Sequence, residues 1–254
     1  MKKNKFMRLA SVMLMLCLIT TCAISGTFAK YTTSDSATDS ARVAKWGVTV
    51  TMMDSEEIFA TQYKDEAIVS GGTVIGGNND TDVVAPGTKG TLSTIAIDGA
   101  PEVTVDVTTE ITLDLGENWV AGGTYCPIVF TVGTETYGLT GMKIADGTAI
   151  VSNQYATVEA LESAVINAIL TTIYGSDNGG TVWTPTNTNT ADITVRYAPN
   201  HDFDAISETF SWAWAFKNND DAKDTILGNL TADVDAANDP TINFSMSVLV
   251  EQVD

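Results

Sequence analysis

Apolar side chains recur at every second position in five stretches of this chain, and this pattern constrains its fold more than any other feature. In the heaviest stretch, aromatic residues from Phe210 to Phe216 alternate with small ones. The other stretches lie at 46–52, 103–107, 193–197 and 242–250. A period of two is typical of β-strands with one buried face, and turn residues between the stretches favour antiparallel pairing. Since two such faces can pack together, the sequence predicts an all-β fold, an antiparallel β-sandwich.

Two segments depart from this alternation and follow a helical spacing. Apolar residues three or four positions apart predict a helical insert over about 157–174, with Thr157 as its N-cap and Gly175 at its end. One further short helix is predicted around Asp220–Leu230, capped at Asp220 or the residue before it and stopped by Gly228. We interpret both helices as covers for the open ends of the sandwich.

The first 29 residues have the organisation of an export signal. Basic residues precede an apolar run from Leu9 to about Ile24, roughly 16 residues where a membrane-spanning helix needs about 20. Ala29 and Lys30 form the predicted cleavage pair, and a retained N-terminal anchor or a lipid on Cys22 is the alternative. The chain is therefore divided into a signal peptide at 1–29, an N-terminal arm at 30–45 and a β-sandwich domain at 46–254.

Removal of this signal leaves a strongly acidic protein with a single cysteine. The full chain has 13 Lys and Arg against 32 Asp and Glu, a net charge of −19, and loss of the four basic residues of the signal lowers it to −23. This charge excludes nucleic acid as a partner, because a duplex binder needs a basic face. Cys126 alone cannot form an internal disulfide, and its position before an apolar run predicts a buried, inert thiol.

The arm at 30–45 is rich in Ser, Thr, Asp and Ala, and it shows no apolar alternation before Val43. One interpretation is a solvated leader. The other is an assembly arm that becomes ordered by pairing with the sheet edge of another molecule. Its assembly residues would be Tyr31, Thr32, Thr33 and Val43.

The junction Gly26-Thr27-Phe28-Ala29 followed by Lys30-Tyr31 resembles the site cut by the SipW-type signal peptidase. SipW-dependent secreted proteins include the TasA and camelysin family of biofilm-matrix fibre proteins, and the turn Ala85-Pro86-Gly87-Thr88 is similar to one found early in that family's domain. The resemblance implies a jelly-roll-like sandwich whose arm adds a strand to a neighbouring subunit. Such head-to-tail contacts do not close on themselves and therefore form filaments. The five Trp residues and the helical insert depart from the family's pattern.

The chain contains few residues of the types that form metal sites or catalytic nucleophiles. Some camelysin-type proteins are described as metallopeptidases, but a zinc protease of the common type needs two histidines one helical turn apart, and His201 is the only histidine. A Ser-His-Asp arrangement would also depend on His201, and the chain has no Gly-x-Ser-x-Gly elbow. We therefore expect that the protein is not an enzyme and has no resident cofactor.

Calcium is the one cofactor that the sequence leaves open. Oxygen-bearing side chains cluster at 78–82, at 218–221 and at Asp233, Asp235 and Asp239, although none of these groups has the spacing of a calcium-binding loop. Asn and Asp also form ordinary turns and helix caps, and the cluster at 218–221 fits a helix start better.

The tryptophans provide the second open alternative, since aromatic faces can bind sugar rings. Trp212 and Trp214 share an alternating face with two phenylalanines, which predicts core positions. Trp119 and Trp183 flank turns rich in Gly or Thr and are the better candidates for exposure, although core positions are favoured for the tryptophans overall.

The function predicted from these features is that of a secreted structural protein of an extracellular or cell-surface biofilm matrix. It would assemble into filaments with copies of itself or with related matrix subunits. Its precursor would contact the membrane and a signal peptidase during export. The alternative is a secreted monomeric carbohydrate-binding or adhesion module.

Overall fold

The computed structural model describes residues 5–25, 42–52, 58–68, 72–76, 82–116, 118–119, 125–175, 187–203, 206–217, 220–232 and 239–253. The chain divides into two units, at 1–45 and 46–254. In the first unit, α1 (Lys5–Ser25) is a helix of 21 residues whose side chains at 9–20 are exposed. Within the described ranges, no helix has both the length and the hydropathy required to cross a bilayer.

The second unit is mostly β, and its described strands form three sheets. A six-stranded sheet has the order β1-β4-β10-β6-β7-β8, a three-stranded sheet has the order β11-β5-β9, and β2 pairs with β3. Among these pairs only β7 with β8 is parallel, so the predicted mostly β, antiparallel fold is confirmed. The strands are β1 (Thr49–Met52), β2 (Gln62–Tyr63), β3 (Val74–Ile75), β4 (Lys89–Asp98), β5 (Val105–Asp114), β6 (Ile128–Val132), β7 (Glu135–Leu139), β8 (Asn153–Tyr155), β9 (Thr190–Tyr197), β10 (Ile206–Trp214) and β11 (Asn243–Gln252).

The heaviest aromatic stretch forms the central strand β10, which pairs with β4 on one side and β6 on the other. Phe210, Trp212 and Trp214 are buried in the core, as predicted. The Trp212 Nε1 donates a hydrogen bond to the backbone oxygen of Ile58 at 3.0 Å. Phe216 lies beyond the end of the strand and is 47% exposed, so the alternation extends one position further than the buried face.

The predicted helical insert is present as α2 (Val158–Tyr174). The Thr157 side chain accepts a hydrogen bond from the backbone nitrogen of Ala160, and Gly175 ends the helix with a φ of 73° in the left-handed region. Eight of its 17 residues are buried, and it packs on strands of both larger sheets. Its buried residues follow one face of the helix and join the hydrophobic cluster that the two sheets share. The interpretation of α2 as a cover for an open end stays a prediction.

The second predicted helix is present as α3 (Asp221–Leu230), and a short 3₁₀ helix lies at Asp65–Ala67. The Asp220 side chain accepts a hydrogen bond from the backbone nitrogen of Lys223 at 3.1 Å, so Asp220 is the N-cap. The prediction that Gly228 stops this helix is wrong. Glycine in a helix interior lowers stability by about 1 kcal/mol relative to alanine but does not prevent the turn from continuing.

Trp119, one of the two candidates for exposure, is only 1% exposed and belongs to the core, the position favoured for the tryptophans overall. Its Nε1 donates a hydrogen bond to the backbone oxygen of Thr241 at 2.9 Å, and its ring packs edge-on against Trp214 with 6.1 Å between centroids. Trp183, the other candidate, lies outside the described residues.

Candidate assembly edge

The last strand, β11, is a sheet edge ten residues long. Its pairing with β5 is continuous from Asn243 opposite Asp114 to Gln252 opposite Val105, with no bulge. No other described strand pairs with its second side. β1 lies beside β11, with Cα atoms within 8 Å, but no ladder joins the two strands. β11 therefore presents a long row of backbone hydrogen-bonding groups to a further strand.

The inward-facing side chains of β11 are incompletely covered. Phe244, Met246, Val248 and Val250 are all half-buried. The inward-facing residues of the neighbouring strand β5 are between 0% and 2% exposed (Val105, Val107, Thr109, Ile111 and Leu113). The apolar side chains of β11 are therefore more exposed to solvent than those of β5, and an added strand would remove further apolar surface from water.

The other edges of the two larger sheets are less suited to strand addition. β8 has three residues and β1 has four, and short edges are poor templates for pairing. β9 has eight residues, but two of its inward-facing side chains, Ala191 and Val195, are already buried. β11 carries neither Lys nor Pro, two residues that commonly protect an edge.

The outward face of the three-stranded sheet is polar and acidic. A groove of about 360 Å³ crosses its three strands, where Ser247, Glu110 and Asp192 form one row. Glu110 and Asp192 are directly opposite each other, an arrangement that repels. At the far end of the sheet, Arg196 donates two hydrogen bonds to Asp106, at 2.8 and 2.7 Å, and these hold the pKa of Asp106 below its usual range.

Most of the predicted assembly residues lie outside the described part of the chain. This holds for the cleavage pair Ala29 and Lys30 and for Tyr31, Thr32 and Thr33. Val43 is described, has no regular secondary structure and is 50% exposed. The structure therefore describes an edge that could receive a strand, while the donor remains a prediction from sequence.

Cys126 lies where the sequence predicts. Its side chain is fully buried, and burial raises the pKa of its thiol to about 12. A thiol that stays protonated and out of contact with solvent is a poor nucleophile. The predicted burial of Cys126 is confirmed, and the raised pKa is in line with the expectation that its thiol is inert.

His201 packs in a small aromatic cluster on the β9 side of the fold. Its ring centroid lies 4.3 Å from that of Tyr197 and 4.8 Å from that of Phe203. Among the described residues, no acid or serine side chain forms a hydrogen bond with its ring. The cluster is a packing arrangement at the end of β9.

The three candidate calcium clusters are described only in part. Residues 78–81, 218, 219, 233 and 235 lie outside the described ranges, whereas Asp82, Asp220, Asp221 and Asp239 lie within them. Asp220 caps α3 and forms an ion pair with Lys223 at 3.7 Å. Among the described residues, no three His, Cys, Asp or Glu side chains are grouped closely enough to hold a metal ion.

Sequence reasoning found the strand β11 but missed that it is an edge with a half-buried apolar row. Only the sheet order distinguishes an edge strand from a central one. Comparison with protein-family models, with curated proteins and with solved structures finds no match to this chain. The proposal that follows therefore rests on the described geometry and on the sequence.

Proposed function

We propose that this protein is a secreted structural subunit of an extracellular or cell-surface biofilm matrix, and that it polymerises non-covalently by strand addition. The arm at 30–45 of one copy would pair with the free side of β11 in the next copy. The observation that supports this most directly is the half-buried row at Phe244, Met246, Val248 and Val250, which a further strand would cover. Backbone hydrogen bonds would supply affinity, and the alternating apolar row would supply register.

The fold proposed for this subunit is a jelly-roll-like β-sandwich. A single hydrophobic cluster contains buried residues of both larger sheets and of α2, which supports two sheets facing a common core. Export, with cleavage between Ala29 and Lys30 by a SipW-type signal peptidase, belongs to the same proposal. The proposal also includes a non-enzymatic role. Its partners would be copies of this chain or related TasA-like and camelysin-like matrix subunits.

The proposal is tested with two forms of the secreted chain, one starting at Lys30 and one starting at Trp46. Filaments are measured by negative-stain electron microscopy and by the fraction of protein that sediments. We expect filaments from the first form alone, because the second lacks the donor strand. Equal filament formation by both forms would contradict strand donation by the arm.

The acceptor edge is tested separately with Ser245→Lys and Ser247→Lys, which place charge on the outward face of β11. The matched control is Ser211→Lys, a half-buried position of β10 that is paired with Thr91 on one side and with Thr131 on the other. All three variants change the net charge equally, so only a role of the β11 edge predicts that the first two stop assembly while the control assembles normally. Unimpaired filaments from both β11 variants would assign the acceptor to another edge.

A further inference from the structure

The outward face of the six-stranded sheet carries rows of hydroxyl groups. Strand register aligns one row across β4, β10, β6 and β7, and a second row across β4 and β10. All six side chains in these rows are half-buried or exposed. We call this surface the hydroxyl face; its first row is Thr91, Ser211, Thr131 and Thr136, and its second row is Thr94 and Thr209.

The hydroxyl face is nearly uncharged, although the chain is strongly acidic. By the alternation of the strands, only Lys89 and Asp98 are charged among the outward-facing residues of β4, β10, β6 and β7. Copies of a chain with a net charge near −23 repel each other, and this repulsion is weakest where two uncharged surfaces meet. The outward face of the three-stranded sheet, by contrast, carries Asp106, Glu110, Asp114, Asp192, Arg196 and Glu251.

The two charged residues lie at opposite ends of one strand. Lys89 is the first residue of β4 and Asp98 is the last, and both are exposed. They share the outward face, since Lys89 lies opposite Ala213 and Asp98 lies opposite Thr49. Within the described part of the chain, neither residue forms an ion pair. Each of the two side chains is therefore available to an opposite charge on another molecule.

A second copy of this chain carries those opposite charges at matching positions. A bulge at Leu92 leaves β4 with five outward positions, and Thr94 is the third of them. If a second copy lies face to face on the first with its β4 strand antiparallel, the two Thr94 residues meet on a two-fold axis. Lys89 of each chain then lies opposite Asp98 of the other. A parallel arrangement would place like charges opposite each other, which is unfavourable.

Hydroxyl groups also make this face complementary to itself. A Ser or Thr hydroxyl both donates and accepts hydrogen bonds, whereas a carboxylate only accepts them. Two identical hydroxyl faces can therefore form hydrogen bonds with each other, which two acidic faces cannot do. Contact between the same patch on both molecules, related by a two-fold axis, is the usual arrangement in homodimers.

We propose that two copies of this protein pair through their hydroxyl faces, with their β4 strands antiparallel and Lys89 of each chain opposite Asp98 of the other. This pairing goes beyond strand addition at β11 and does not rest on it, because the hydroxyl face and β11 belong to different sheets. Filaments formed by strand addition would be joined side by side through this face. A chain that adds no strand would form a closed dimer.

The test is disulfide trapping in the secreted chain starting at Lys30. Thr209 lies opposite Thr94 in the sheet, so Thr209→Cys places a thiol near its counterpart across the two-fold axis, and the buried Cys126 does not compete. We expect oxidised Thr209→Cys to give a dimer band and no larger species on non-reducing gels. The matched control is Thr194→Cys, an exposed position on the outward face of the three-stranded sheet, which should remain monomeric.

A charge reversal tests the antiparallel arrangement. In the Thr209→Cys chain, Lys89→Asp places two acids opposite each other at each end of β4 and should lower the dimer yield by about tenfold. The exchanged variant, Lys89→Asp/Asp98→Lys, should restore the yield.

Three results would overturn this proposal. These are equal cross-linking of Thr209→Cys and Thr194→Cys, an unchanged dimer yield with Lys89→Asp, or no recovery in the exchanged variant. Thermal unfolding of each variant shows that it is folded. Negative-stain electron microscopy of the same samples reports on filaments, so that a failure of strand addition is distinguished from a failure of pairing.

Discussion

The side chain of Glu162, buried near the start of α2, accepts a hydrogen bond from the backbone nitrogen of Leu115 at 2.7 Å. Leu115 directly follows β5, so the bond joins the helix to the central strand of the smaller sheet. Burial raises the pKa of Glu162, and the backbone hydrogen bond opposes this shift only in part. The Glu162 carboxylate therefore joins α2 to the end of β5, but its ionisation lowers the free energy of unfolding.

This relationship predicts how stability depends on pH. Because the pKa of Glu162 is raised in the folded protein, that state binds the proton more tightly than the unfolded chain does. The contribution of this group to the free energy of unfolding should decrease as the pH rises above the ordinary pKa of glutamate and should level off above the raised value. Urea unfolding at pH values from 4 to 8, with wild type and Glu162→Gln, measures this contribution.

The two substitutions at this position should act in opposite directions at pH 7. Glu162→Gln keeps an acceptor for the Leu115 N–H and removes the buried charge, so we expect greater stability than wild type and loss of this pH dependence. Glu162→Ala leaves that N–H buried and unpaired, so we expect lower stability by about 1–3 kcal/mol. If Glu162→Gln were as unstable as Glu162→Ala, the charge itself would be the stabilising group.

A second prediction concerns the close approach of Gly90 to Trp212. A Cβ atom at Gly90 would lie 2.7 Å from Trp212 Nε1 and 3.0 Å from the backbone oxygen of Ile58, the acceptor of the indole's hydrogen bond. Gly90→Ala should displace the indole and lower the free energy of unfolding by about 1–3 kcal/mol. The matched control is Gly228→Ala, where a Cβ meets open space within α3, and it should raise stability by about 0.5–1 kcal/mol. Equal effects of the two substitutions on urea midpoints would contradict this account.

The proposed strand addition predicts a specific covalent cross-link between subunits. In the chain starting at Lys30, Cys126 is the only cysteine and is buried, so introduced thiols react without interference. We expect oxidised Thr33→Cys/Ser247→Cys or Thr33→Cys/Ser245→Cys chains to form disulfide-linked ladders on non-reducing gels. Thr33→Cys/Ser211→Cys should not, because Ser211 is paired on both sides, with Thr91 and with Thr131. A cross-link confined to monomers would mean that the arm pairs with the edge of its own chain.

The acidic charge predicts that assembly responds to salt. A subunit with a net charge near −23 repels its copies, and about 0.15 M salt reduces the range of this repulsion to roughly 8 Å. We expect faster filament growth, followed by light scattering, as sodium chloride increases. Calcium chloride at equal ionic strength distinguishes screening from specific binding, since screening alone predicts equal rates. Filament growth insensitive to both salts would contradict an electrostatic barrier to assembly.

Local features of the fold could be predicted because they depend on neighbouring residues. The alternation in β10 and β11 predicts strands. The side chains of Thr157 and Asp220 cap the starts of the two helices, and Gly175 ends α2 with a positive φ. Cys126 is buried as its apolar surroundings predict. The export signal, the cleavage pair and the arm remain predictions from sequence.

Longer-range features could not be predicted in the same way. The turn around Trp119 gives no sign that its indole would reach Thr241, more than a hundred positions later. The spacing in α2 predicts a helix but not the two sheets on which it packs. Thr91, Ser211 and Thr131 are far apart in the sequence, and only the sheet register aligns them in one row.

The sequence by itself determined that this chain forms strands and two further helices, that Thr157 and Asp220 cap these helices, and that the chain is strongly acidic. Each of these properties follows from the period of side chains along the backbone, from end-capping hydrogen bonds or from composition. The tertiary structure alone decided that β11 is an edge, that α2 packs on both larger sheets and that hydroxyl-bearing residues of four strands share one face. Sheet order and burial arise from contacts between residues far apart in the chain, and no local pattern encodes them.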